Sequence, residues 1–169
     1  MSERILKALM QLFAIVAKVN LNDDEIRADQ SSRLIVKLFL QQDLPSELID
    51  KYLKIFDEFI KERHSSTRKK DGTRKRTSVN SVKVLRICTQ INEELEQRQK
   101  VIVLIRILEF IFADPEHSEK ELEFAATVAD TFNIESKEYE EIFHFVESAS
   151  KKIFEQENQL IICSDKKQE

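Results

Sequence analysis

The sequence predicts an all-α fold, a seven-helix bundle built from two related halves, and three observations carry that prediction. Apolar residues recur at three- and four-residue spacing over most of the 169 residues. A charged fraction of 34% beside 41% hydrophobic residues is what helices with one buried and one wet face produce. The single glycine, Gly72, argues against strand-rich folds, which need turn glycines, and against Rossmann or P-loop phosphate sites, which need several glycines in one loop. The length suits one domain or two closely packed halves with a real core.

The first helix runs from Ser2 to about Val19, with Ile5, Leu9, Leu12, Phe13, Val16 and Val19 on one face. Asn22 is placed to cap the second helix, with Asp23, Asp24 and Glu25 in its first turn, where carboxylates favour the helix dipole. That helix is polar from Arg27 to Arg33 and apolar at Leu34, Ile35, Leu38 and Phe39. Pro45 ends it and opens a third helix to about Lys61, buried along Leu48, Ile49, Tyr52, Ile55, Phe56, Phe59 and Ile60.

From His64 to Thr77 there is no apolar residue, so this stretch cannot offset its own ordering entropy and reads as a linker. A fourth helix is expected from about Val79 to Leu95. A fifth, Gln97 to Ala113, has the widest apolar face in the chain and is expected to be central. Ser118-Glu-Lys-Glu121 is a capping box opening a sixth helix that carries Leu122, Ala125, Ala126, Ala129 and Phe132, its alanines implying close helix approach. Ser136 then caps a seventh, through about Gln156, buried along Tyr139, Ile142, Phe143, Val146, Ala149 and Ile153. Gln159-Leu-Ile-Ile-Cys163 has strand character with no earlier strand to pair with, so it is either the start of a following domain or an apolar tail.

The longest apolar run, Leu12 to Ala17, falls far short of the roughly 20 residues that span a bilayer. The N-terminus lacks the features of a signal peptide. Cys88 and Cys163, without CxxC spacing, suit a reducing compartment, and the expected location is cytoplasmic. Arg63 to Arg76 holds seven basic residues and one acid, which leaves −10 for the rest of a chain whose net charge is −4. Such a basic arm can contact phosphates of nucleic acid or anionic lipid. It has no aromatic residue to stack a base, and the acidic body would repel a polyanion, which argues against nucleic acid and for a solvated linker. His64, His117 and His144 have no motif partner, so no enzyme chemistry is visible and the chain is expected not to be an enzyme. The Phe-rich stripes suit a core, and any phenylalanine the helices fail to bury would mark a protein-docking patch.

Aligning Ala17 with Ala113 pairs Asn22 with Ser118 and Glu25 with Glu121 at one offset of 96. A helix-loop-capped-helix unit repeated at constant offset predicts pseudo-twofold packing with the two loops close together. The helical domain then covers residues 1–157, as repeat one at 1–62, a basic linker at 63–78 and repeat two at 79–157, followed by residues 158–169.

The second copy, Ala113-Asp-Pro-Glu-His-Ser-Glu-Lys-Glu121, resembles the signature of the TerB-like (tellurite-resistance) helical domain, in which Ala-Asp-Gly is followed by an aliphatic residue, Ser and Glu in both halves. The resemblance covers most of the chain as helix order and two short stretches as motif. Pro115 stands where the family has Gly, His117 where it has an aliphatic residue, and Lys18-Val19 where the first copy should have Asp-Gly. It implies a divalent-cation site, or an acidic surface, at Asp114, Glu116, Glu121 and Glu25; with carbonyls and waters such a set suits a hard cation. Helix capping explains Glu25 and Glu121 equally, and Lys18 would put an ammonium where the cation sits, paired with Asp114. Two functions follow from the resemblance. One is an interaction or sensing module of a larger bacterial protein, such as an ATPase or an ABC transporter ATP-binding subunit, with a protein partner or a covalently following domain and peripheral association at the inner face of the membrane. The other is a stand-alone metal-binding tellurite- or stress-resistance protein.

Overall fold

The computed structural model describes residues 2–22, 25–68 and 82–165, with side chains placed for all of these except 19–27, 64–68 and 153–165. In order the chain forms α1 (Glu3–Val16), β1 (Val19–Asn22), β2 (Glu25–Ala28), α2 (Gln30–Leu40), α3 (Ser46–Arg68), α4 (Val82–Asn92), α5 (Gln97–Phe112), α6 (Glu119–Thr131) and α7 (Ser136–Asp165). Seven helices and one antiparallel strand pair are thus present among the described residues.

α1 is the most thoroughly buried helix. Ser2 caps it by accepting from the Ile5 amide at 3.3 Å, and Ile5, Leu9, Met10, Leu12 and Phe13 are all but sealed from solvent. Phe13 sits at the middle of the core, edge-on to Phe39 at 5.2 Å and tilted against Phe110 at 5.5 Å. α1 packs on α3 and α4, and α5 touches α1, α2, α6 and α7, which gives it the central place its apolar face predicts.

The expected cap at Asn22 is not formed. Residues 19–22 and 25–28 pair as antiparallel strands, with Val19 opposite Ala28 and Asn22 opposite Glu25, and β2 lies against α3. The sequence pattern behind this is a period of two, Val19 and Leu21, then Ile26 and Ala28, on either side of Asn-Asp-Asp-Glu. α2 instead begins at Gln30 under Asp29, whose carboxylate accepts from the Ser32 amide at 2.7 Å. Within α2, Val36, Phe39 and Leu40 are buried while Leu34 and Leu38 face outward.

Three further boundaries differ. α3 continues through Arg68, so the first six residues assigned to the linker 63–78 are helical; each added residue gains a hydrogen bond, and no glycine or proline intervenes before Gly72. The rest of that linker, with 79–81, lies outside the described residues. α4 ends at Asn92, short of the expected Leu95, which is still buried. α7 runs on through Gln159–Cys163, the stretch read as the start of a following domain or an apolar tail, and the boundary at 158 falls inside this 30-residue helix, about 45 Å long. Helix satisfies the backbone locally where no strand is available to pair. Along α7 Val146 is buried, Tyr139, Ile142 and Phe143 are half-buried, and Ala149 is exposed; the side chain of Ile153 lies outside the described residues.

α6 ends in a left-handed residue, Asn133 (φ 54°), with the Ile134 amide donating back to Ala129 at 3.0 Å and the Ile134 side chain buried. This is the Schellman arrangement, and asparagine tolerates the positive φ it needs. The turn sets α7 back against α5 and α6.

Candidate functional site

The site grows from the end of α1. Ala17 leaves the helix in an extended conformation, its amide still donating to Phe13 at 3.0 Å, and this swings Lys18 across the bundle. Two backbone bonds fix Lys18: its amide donates to Ser32 Oγ at 3.1 Å, and its carbonyl accepts from the Asp29 amide at 3.1 Å. Ser32 is buried, so the pair closes the base of the strands with little access for water.

The α5–α6 loop faces it. Asp114 Oδ1 accepts from the Glu116 amide at 2.9 Å and from Lys18 Nζ at 2.9 Å. Partial burial works against the Asp114 carboxylate, but the Glu116 amide and the Lys18 ammonium outweigh it and hold its pKa below the usual aspartate value. The Asp114 carbonyl is engaged by His117, whose amide donates at 3.2 Å and whose Nδ1 lies 2.9 Å away. The His117 ring stands edge-on to Phe112 at 5.2 Å. At the start of α6 Glu121 Oε2 accepts from both the Ser118 amide at 2.7 Å and Ser118 Oγ at 2.8 Å, and the capping box its spacing predicts is present.

A third element completes the junction. Arg63, on α3, donates from Nη1 to the carbonyls of Ala14 and Ile15, both at 2.6 Å. Those carbonyls belong to the last turn of α1, which has no basic residue of its own. Arg63 therefore meets the negative end of the α1 dipole from a neighbouring helix. Burial lowers its pKa, and the Glu121 carboxylate acts in the opposite direction. Where α1, α2, α3 and the α5–α6 loop meet, Lys18 thus pairs with Asp114, and Arg63 closes the end of α1 with the Glu121 charge acting on it. Composition places Arg63 in the linker, whereas it lies within α3. Its inward position was legible in its spacing, three residues beyond Ile60 and seven beyond Phe56 on the buried stripe of α3.

Of the candidate cation ligands, Asp114 is turned to Lys18 and Glu121 to Ser118, and Glu116 is exposed and reaches the site through its amide. Glu25 lies on β2, opposite Asn22, and its side chain is outside the described residues. Among the described residues no three His, Cys, Asp or Glu side chains are grouped as a metal site. Asp114, Glu116 and Glu121 are therefore not brought together as the ligand set read from the loop.

His144, largely exposed on α7, stands 3.8 Å from Glu147. Cys88 is buried, and burial pushes its thiol up to about 12, which keeps it an unreactive thiol. An open groove of about 440 Å³ between α1, α3 and α4 is floored by Ala8 and Phe59 and rimmed by Arg4 and Lys7. Its rim cations are already engaged, Arg4 with Glu93 and Lys7 with Glu3. No described helix is long and apolar enough to cross a membrane. No family model, no curated protein and no solved structure matches the chain.

Proposed function

We propose that this chain is a non-enzymatic helical module of the TerB-like kind, cytoplasmic, which acts by binding a protein partner or a covalently following domain. The observation that carries the reading is the Lys18–Asp114 pair at 2.9 Å. The two stretches on which the family resemblance rests lie 96 residues apart in sequence, and their equivalent positions touch. α1 packs on α3 and α5 on α7, an arrangement in keeping with two related halves. By the same resemblance the module belongs to a larger polypeptide such as an ATPase or an ABC transporter ATP-binding subunit, with peripheral association at the inner face of the membrane. An interaction role asks for no reactive group, in line with the engaged polar groups of the junction.

The competing reading, a stand-alone metal-binding tellurite- or stress-resistance protein, needs loop carboxylates free to take a cation. Asp114 holds an ammonium and Glu121 caps α6. Thermal unfolding with calcium, magnesium or manganese at millimolar concentration separates the two, because a ligand bound by the native state alone raises the melting temperature. No shift is expected; a rise would favour the metal-binding protein. The module reading is tested by following the reading frame past Glu169: a continuing ATPase or other domain is expected, and a stop codon there would remove the larger protein.

A further inference from the structure

We draw no further inference here: the strongest candidate, the exposed apolar patch of Leu34 and Leu38 on α2, is bordered by charges of both signs, Lys37 and Asp43, and nothing in the structure shows what covers it.

Discussion

Lys18 Nζ lies 2.9 Å from Asp114 Oδ1, and this contact joins the end of α1 to the loop between α5 and α6. The pair is partly exposed, 40% for the lysine side chain and 27% for the aspartate, so screening by solvent limits its worth. A double-mutant cycle with Lys18→Met and Asp114→Asn should give a coupling of about 0.5–1 kcal/mol in urea unfolding, at the upper end for accessible ion pairs. A coupling indistinguishable from zero would mean that the two junctions meet without an energetic link.

The same carboxylate makes stability depend on pH in a definite direction. The folded pKa of Asp114 is held below its unfolded value, about 3.9 for a free aspartate. Its contribution is therefore complete above that value and is lost as pH falls through the lower folded one. An NMR titration of the Asp114 carboxyl should show a midpoint below the free value, moving upward in Lys18→Met. No movement would assign the depression to the Glu116 amide alone.

Arg63 should matter more than the ion pair, because it is half-buried and satisfies two helix-end carbonyls at once. Arg63→Met is expected to cost about 2–3 kcal/mol, the range for hydrogen bonds to a charged group together with the carbonyls left unpaired. Arg63→Lys should recover less than half of that, since an ammonium lacks the planar fork and the reach. Equal stability of the lysine variant and the native protein in chemical denaturation would reduce Arg63 to a point charge.

The phenylalanines divide by burial into two groups with different expected costs. Phe13, fully buried between Phe39 and Phe110, should lose about 3–5 kcal/mol as Phe13→Ala. Phe145→Ala should stay within about 0.5 kcal/mol of native, since the ring leaves no cavity behind. A large loss at Phe145 in urea unfolding would mean that the ring packs against its own chain.

The periodic signals that read correctly were those with strong burial behind them. α1, α5 and α6 follow their apolar spacing because Leu9, Leu104 and Ala125 have nowhere else to go. The Ser118–Glu121 box was legible because its bonds are local. Asn22 and Glu25 presented the same letters, yet there the alternation of Val19, Leu21, Ile26 and Ala28 prevailed, and Asp29 was left to cap α2. Arg63 was hidden for another reason: composition averages over a window, and a single arginine on a buried stripe looks like its exposed neighbours. Lys18 was informative by itself, because a basic residue facing a loop carboxylate specifies its own partner.

The C-terminal part of α7 offers a test of whether local apolar character or backbone satisfaction decides structure there. Leu160 to Cys163 is rich in β-formers, but an isolated strand leaves its backbone groups unpaired, whereas continuing α7 pairs each of them four residues back. Cα chemical shifts of residues 157–165 should therefore be helical. Ile161→Pro should abolish them locally, at a cost of about 3 kcal/mol to the helix, while leaving the core signals of Phe13 and Leu104 in place. Extended shifts in the native chain would restore the strand, and with it a boundary at residue 158.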